Sequence, residues 1–182
     1  IGLFLDTAGN KFVIGLVKNK KLLAFSIKQT DNNVVKYGIF WLKDFLFKNN
    51  IEFNQLTEIY LTIGPGSFTG TKVGPNIIST LALVNKKLAI YTIDNFSLFK
   101  TKKPNVAIQI SKQKYLLQKS LIFNFKKTKI INLDSLNLAT TTLSYDSDFT
   151  PKLIETKIRN NAFNLVENPL KIALIFADDM IK

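Results

Sequence analysis

One stretch of the chain, residues 61–74, constrains the fold more than any other. It reads Leu-Thr-Ile-Gly-Pro-Gly-Ser-Phe-Thr-Gly-Thr-Lys-Val-Gly. The apolar, β-prone residues before Gly64 predict a buried strand. Gly64-Pro65-Gly66 predicts a type II turn, in which Pro65 sets φ at about −65° and Gly66 takes a positive φ. Ser67 is a good N-cap, so we expect a helix to begin after the turn.

This order of strand, turn and helix start directs backbone N–H groups towards one point, which suits an anion. Gly66, Gly70 and Gly74 recur every four residues, and Gly70 and Gly74 would share a helix face that another helix or backbone can approach closely. Spacing alone leaves two interpretations open, a structural turn with a tight helix contact and a phosphate-binding turn. A Walker A loop is excluded because no Gly-Lys-Ser/Thr follows, and Pro65 fits a dinucleotide fingerprint poorly.

The residue types present limit the possible chemistry. Among 182 residues there is no cysteine and no histidine, which excludes disulfides, Cys/His zinc sites, Ser-His-Asp triads and histidine bases. The length leaves room for one large domain or two small ones, and the 46% apolar fraction is enough for a packed core. No apolar run reaches the ~18 residues of a membrane span, and no signal peptide is recognisable, so we expect a cytoplasmic protein.

The net charge of +12 favours a nucleic-acid or acidic partner. However, lysine, asparagine, isoleucine and phenylalanine are abundant throughout, which is typical of AT-rich codon usage. The charge therefore has two possible origins, an RNA-related role and compositional bias.

The order of predicted elements indicates the fold class. Strands are predicted at 3–7, 12–17, 22–27, 58–63 and 88–93, and helices at 33–48, 68–84 and 94–99. Pro75 lies inside the second helix, so that helix either kinks or begins at Pro75. Three antiparallel strands followed by βαβ units match the ribonuclease H-like module of the actin-like ATPases.

A polar, basic link at residues 101–104 separates a complete first lobe, 1–100, from a smaller, reduced second α/β lobe, 101–182. In the second lobe we predict strands at 106–110, 115–125, 129–133, 141–145 and 170–176. Asp134 is expected to cap a short helical piece. Residues 146–169 show no clear pattern.

The helix predicted at 33–48 carries apolar residues on two sides. The stripe with the spacing of a core face consists of Val35, Ile39, Leu42 and Leu46. A second stripe consists of Val34, Tyr37, Trp41 and Phe45. Such a helix needs two burial partners. One is its own sheet, and the other is either a second helix of this chain or a partner protein.

The run from Gly64 to Gly70, followed by Lys72-Val73-Gly74, closely resembles the signature of the TsaB (YeaZ) family, Gly-Pro-Gly-Ser-Phe-Thr-Gly-Leu-Arg-Ile-Gly. Asp6-Thr7 fits the Ile-Asp-Thr-Ser start of that family, and the element order agrees. Tyr115 can match a tyrosine of the family, although the acidic-Ala-Arg motif that precedes it there is absent here.

The resemblance implies a noncatalytic subunit that needs no cofactor or metal. TsaB proteins pair with the related catalytic protein TsaD, together with the ATPase TsaE, and the complex transfers a threonylcarbamoyl group to the adenosine beside the tRNA anticodon. The helices at 33–48 and 68–84 would form the paired interface. The predicted contact residues are Val34, Tyr37, Trp41, Phe45, Gly70, Gly74, Ile77 and Leu81. Without TsaD, the exposed helix face predicts a homodimer.

The first strand ends where actin-like kinases hold a phosphate loop. A hairpin turn with a side-chain cap is the favoured interpretation here. The weak phosphate-binding candidates are Asp6, Thr7, Gly64, Gly66, Ser67 and Thr69. The alternative function is an active actin-like sugar or acid kinase. It would need a complete phosphate loop after the first strand, a second one in the other lobe and a catalytic aspartate, and residues 101–110 contain no acidic loop.

Overall fold

The computed structural model describes residues 1–30, 33–99, 103–120, 126–143 and 149–168. The strand predicted at 170–176 lies outside these residues. So do the last residues of the strands predicted at 115–125 and 141–145.

A six-stranded sheet forms the centre of the structure. Its strands, in spatial order, are β10 (Asn164–Leu165), β5 (Ala89–Ile93), β4 (Glu58–Thr62), β1 (Gly2–Asp6), β2 (Lys11–Lys18) and β3 (Lys21–Gln29). Strands β1, β2 and β3 form an antiparallel meander. Strand β4 pairs in parallel with β1 on one side and with β5 on the other. Parallel neighbours need a crossover, which a helix supplies in each case. This order confirms the predicted α/β fold of the ribonuclease H-like module.

Two helices cover one face of this sheet. They are α1 (Val34–Lys48), which connects β3 to β4, and α2 (Gly70–Val84), which connects β4 to β5. Beneath them the core contains Leu3, Leu5 and Ile59, all fully buried. The second helix begins at Gly70, so Pro75 lies inside it. The predicted alternative in which a helix begins at Pro75 is therefore wrong.

The core face of α1 differs from the predicted stripe. The buried residues are Val34, Gly38, Leu42, Phe45 and Leu46. Val35 and Ile39, predicted as core, are 66% and 42% exposed. Gly38 faces α2 instead, because a Cβ there would lie at ordinary contact distance, 3.5 Å from Val73 and 3.6 Å from Ile77. With its glycine turned towards α2, the helix presents Val35 and Ile39 to solvent.

The other face of the sheet packs against α3 (Asn95–Phe99), α4 (Pro151–Arg159) and part of a second sheet. Aromatic rings join these layers. The ring of Phe4 lies 6.4 Å from each of the rings of Phe149 and Phe163, and Phe163 also meets Tyr60 edge-on at 5.3 Å. Residues 149–165 thereby return to the central sheet.

Sequence analysis missed both α4 and β10, in the stretch described as unpatterned. One signal was available at the start of α4. The hydroxyl of Thr150 accepts a hydrogen bond from Leu153 N at 3.1 Å, and Pro151 follows it. Threonine at the N-cap with proline at the first helical position is a recognised start of a helix.

The second sheet has the spatial order β8 (Lys126–Asn132), β7 (Lys114–Ser120), β6 (Asn105–Gln109) and β9 (Thr141–Leu143). The predicted short helical piece at Asp134 is present as a 3-10 turn, Leu133–Ser135. The division of the chain at residue 100 stays a prediction. Strand β10 comes from the second half of the chain but belongs to the central sheet. Within the described residues, no helix is long and apolar enough to cross a membrane.

Candidate functional site

The glycine turn connects the end of β4 to the start of α2, but its conformation differs from the predicted type II turn. The Gly64–Pro65 peptide is cis, and the positive φ, 87°, is at Gly64 rather than at Gly66. A Cβ on Gly66 would overlap the carbonyl oxygen of Ala8. Glycine is therefore needed there for close backbone approach rather than for its φ.

Thr7 joins the loop after β1 to the first turn of α2. Its hydroxyl donates to Gly70 O at 2.7 Å and accepts from Gly74 N at 2.9 Å. These two backbone groups are four residues apart, the pair that one regular helical turn bonds directly. The Thr7 hydroxyl thus bridges them, one residue before Pro75.

The glycine face of α2 packs against this chain. A Cβ on Gly70 would overlap the Thr7 carbonyl oxygen, and a Cβ on Gly74 would stand 2.7 Å from the Thr7 hydroxyl oxygen. Both glycines are buried. The prediction that they contact a partner protein is therefore wrong, because the loop after β1 already occupies that face.

The loop after β1, the glycine turn and the start of α2 meet at one place, which we call the junction. The Asp6 side chain also bonds there. One carboxylate oxygen accepts from Ala8 N at 2.9 Å, and the other accepts from the Thr62 hydroxyl at 2.6 Å. The side chain is fully buried, and this burial raises the pKa of Asp6 from 3.8 to about 6, against the lowering effect of its hydrogen bonds. The carboxylate thus serves as the side-chain cap that the sequence favours.

The remaining turn residues are also bonded within the chain. Ser67 N donates to Ala8 O at 2.6 Å, and the Ser67 hydroxyl accepts from Gly70 N at 3.0 Å. Two N–H groups that could bind an anion are therefore in use. Thr69 is exposed, and phosphate binding at the turn stays a prediction.

Asn95 is a residue of this junction that sequence analysis missed. Its backbone N donates to Gly64 O at 2.6 Å, and its side-chain amide donates to Pro65 O at 2.8 Å. A signal was present, because Asn95 closely follows β5. The carboxyl ends of the parallel strands β1, β4 and β5 meet at one edge of a sheet, and each contributes a residue to this junction.

The other predicted contact residues fall into two groups. Val34 and Phe45 lie in the core, only 4% and 8% exposed, so their prediction as partner contacts is wrong. Periodicity could not separate them from the outer face, because α1 is apolar on almost every side. Trp41 is half-buried with its ring 5.4 Å from that of Phe12, and the Tyr37 ring lies 5.8 Å from that of Trp41, tilted by 32°.

The exposed surface of α1 carries four large apolar side chains. We define the α1 outer face as Val35, Ile39, Phe40 and Phe47. They are 66%, 42%, 61% and 81% exposed. An apolar face of this kind on a small domain typically marks an interaction surface. At the start of α2, Phe68 is also exposed, with the Lys72 ammonium group 3.8 Å from the centre of its ring.

A surface cavity of about 840 Å³ lies at the opposite end of α2. Its lining includes the predicted contact residue Leu81. The other lining residues are Glu52, Phe53, Asn54, Leu56, Val84, Asn85, Lys86, Lys87 and Leu88. The glycine turn does not contribute to it. In the part of the chain that the structure describes, no group of three or more acidic, histidine or cysteine residues could hold a metal ion.

Comparison with solved structures identifies the architecture. YeaZ from Pseudomonas aeruginosa superposes with a TM-score of 0.61 at 13% identity, over 93% of this chain and 97% of that one. The chain has the YeaZ fold. A second structure, described as an uncharacterized protein with similarity to peptidase YeaZ from Pseudomonas aeruginosa, gives a TM-score of 0.56 at 14% identity, over 82% and 72% of the two chains. The resemblance read from the glycine turn is thus confirmed at the level of the fold.

Sequence comparison gives two further similarities. The profile of the family described as "TsaD: tRNA N6-adenosine threonylcarbamoyltransferase" matches residues 39–96, about a third of the chain. The protein named "Uncharacterized protein MG208 homolog" from Mycoplasma pneumoniae is 28% identical over 98% of this chain and 95% of its own length. The matched residues 39–96 contain most of α1, the glycine turn and α2.

Because the Thr7 hydroxyl bonds to both backbone groups, we expect Thr7→Val to destabilise the protein by about 2 to 3 kcal/mol. Valine keeps the shape but leaves the buried Gly74 N–H and Gly70 carbonyl without their partner. Thr7→Ser is the matched control, because it keeps the hydroxyl and loses only a methyl group, at about 1 kcal/mol. Urea unfolding of the three proteins measures the difference. Equal stability of the two variants would contradict the bridging role.

The raised pKa of Asp6 predicts a specific pH dependence. Protonated Asp6 favours the folded state below about pH 4, and this stabilisation is lost as pH rises through about 6. Asp6→Asn keeps an acceptor for Ala8 N and cannot ionise. Its stability relative to the wild type should therefore increase by about 2 kcal/mol between pH 4 and pH 7, measured by urea unfolding.

Asp44→Asn is the control for this pH series. Lys48 lowers the pKa of Asp44, so the contribution of that carboxylate is present at neutral pH and is lost as pH falls. Asp44→Asn should therefore lose stability relative to the wild type as pH rises, the opposite direction. Parallel pH curves for wild type and Asp6→Asn would show that Asp6 is not buried as described.

Proposed function

We propose that this protein is a noncatalytic scaffold subunit of a tRNA-modifying complex. It binds a TsaD-type threonylcarbamoyltransferase and supports transfer of the threonylcarbamoyl group to the adenosine next to the tRNA anticodon. An ATPase of the TsaE type completes the complex, which works in the cytoplasm. The similarity to YeaZ in fold and to the TsaD family over residues 39–96 supports a role related to tRNA modification.

The observation that carries the proposal is the α1 outer face. Val35, Ile39, Phe40 and Phe47 are exposed on a helix that already buries its opposite side in the core. Burying this face against a partner would remove a large apolar area from water, which is the main favourable term in protein association. In the absence of the transferase, two copies of this chain would cover the face.

The glycine turn supports the noncatalytic part of the proposal. A kinase of this fold would hold a phosphate in the loop after β1. Here the Thr7 hydroxyl of that loop bonds to the start of α2, as does the Ser67 hydroxyl of the glycine turn. The Asp6 carboxylate bonds to Ala8 N and to Thr62 of strand β4. The bonds close the junction, so we assign it a structural role and favour a partner subunit over a sugar or acid kinase.

The proposal predicts that Val35→Asp with Ile39→Asp weakens binding to the transferase at least about tenfold. Two carboxylates would have to be buried without partners, a penalty that clearly exceeds the ~1.4 kcal/mol of a tenfold change. Because both positions are exposed in the free chain, folding should change little. Co-elution in size-exclusion chromatography and calorimetric titration measure the binding.

Leu23→Asp is the matched control. Leu23 is 60% exposed and lies on the edge strand β3, outside the α1 outer face, so this variant should bind as the wild type does. Thermal unfolding of each variant confirms that it is folded. Unchanged binding by the Val35/Ile39 variant, or an equal loss in the Leu23 variant, would contradict the assignment of the α1 outer face.

A further inference from the structure

The exposed side of α1 carries cations as well as apolar side chains. At the spacing i, i+4, i+7 and i+11, one row contains Lys36, Phe40, Lys43 and Phe47, all exposed. Positions with this spacing follow one another along a single side of a helix. The residues that α1 buries in the core lie on the other side. We call these four residues the Lys-Phe stripe.

Neither lysine of the stripe has an acidic partner among the residues that the structure describes. Asp44 is the only acidic residue of α1, and α2 has none. Asp44 already pairs with Lys48 at 2.9 Å and with Lys28 at 3.8 Å. The Lys36 ammonium group lies 4.9 Å from the centre of the Tyr37 ring, a contact that leaves its positive charge in place. The stripe therefore presents two cations that need an outside counter-charge.

A helix surface that only faces water does not account for the stripe. Such surfaces usually mix both signs of charge, because glutamate and lysine four residues apart stabilise each other. Here the residue four positions beyond each lysine is a phenylalanine, and these rings, Phe40 and Phe47, are 61% and 81% exposed. Aromatic side chains are enriched in protein interfaces, where their burial is favourable. The pattern thus indicates a contact surface.

We propose that the transferase covers the Lys-Phe stripe with a surface that is apolar at its centre and carries two carboxylates, one opposite each lysine. This inference rests on the proposed function and adds the chemistry of the partner. Lys36 and Lys43 are seven residues apart, which is about 10 Å along the helix axis, and this distance sets the spacing of the carboxylates. Complementary charges accelerate association and discriminate against other partners.

The same stripe disfavours a second copy of this chain. In a two-fold dimer one patch forms both sides of the interface, so the stripe lysines of one copy would face those of the other. Asp44 does not balance them, because it is paired within its own chain. Salt screens attraction and repulsion alike. Added salt should therefore weaken binding to the transferase and strengthen self-association.

Calorimetric titration with the transferase at about 50 and about 500 mM sodium chloride tests the first effect. Lys36→Glu with Lys43→Glu should weaken binding about tenfold at the lower salt concentration and by less at the higher one. The matched control is Lys18→Glu with Lys152→Glu, which changes the net charge equally at exposed positions on β2 and α4. It should bind within about twofold of the wild type, because these positions lie outside the contact.

A neutral variant, Lys36→Gln with Lys43→Gln, tests the second effect. It should bind the transferase more weakly than the wild type and form a reversible dimer more readily, measured by sedimentation equilibrium at low salt. Its self-association should no longer depend on salt, whereas that of the wild type increases with salt. Thermal unfolding of each variant confirms that it is folded, so aggregation of a misfolded chain is distinguished from dimerisation.

Equal losses in the stripe and control variants would mean that net charge alone governs binding, and would overturn the inference. So would binding of the wild type to the transferase that is independent of salt. A stripe variant that keeps its affinity for the transferase but loses affinity for a tRNA transcript or for anionic vesicles would assign the stripe to another partner, and would also overturn it. Failure of the proposed function has a different signature, because the wild type would then not bind the transferase at either salt concentration.

Discussion

The hydroxyl group of Thr7 sits between the Gly70 carbonyl and the Gly74 N–H, and the arrangement of the first lobe depends on this contact. It ties the loop after β1 to the first turn of α2, at the place where the carboxyl ends of the parallel strands converge. Close approach is possible only because Gly70 has no side chain: a Cβ there would overlap the Thr7 backbone. A short stretch of sequence thereby fixes how α2, and with it α1, lies on the sheet.

The same contact explains why the junction is better suited to support than to chemistry. Ser67, Thr7 and Asp6 hold the two loops together, and Asn95 secures the turn from the end of β5. Side chains that a phosphotransferase would direct at its substrate are turned inward here. The first lobe also presents the four apolar side chains of the α1 outer face to solvent. This arrangement supports the proposed role as a binding subunit.

Much of the first lobe was predictable from sequence, because its central strands are continuous apolar runs and its turns carry glycine, asparagine and proline. The glycine turn was found at the right place, but its conformation was not, since positive φ is equally open to Gly64 and Gly66. The core face of α1 was mispredicted for a related reason. When nearly every side of a helix is apolar, periodicity alone does not identify the buried face. In α1 the buried face is the one on which Gly38 faces α2. Strand β10 is only two residues long and is defined by its pairing with β5, which no local pattern reveals.

The most direct test of the central claim is reconstitution of threonylcarbamoyl transfer on a tRNA transcript. Three mixtures are compared, each supplied with a threonylcarbamoyl donor and ATP. The first contains the transferase with its ATPase, the second contains this chain alone, and the third contains all the proteins together. If the chain is a noncatalytic subunit, only the complete mixture forms the modified adenosine at a substantial rate, and the chain alone forms none. Transfer that is equally fast without the chain, or phosphoryl transfer from ATP by the chain alone, would contradict the account.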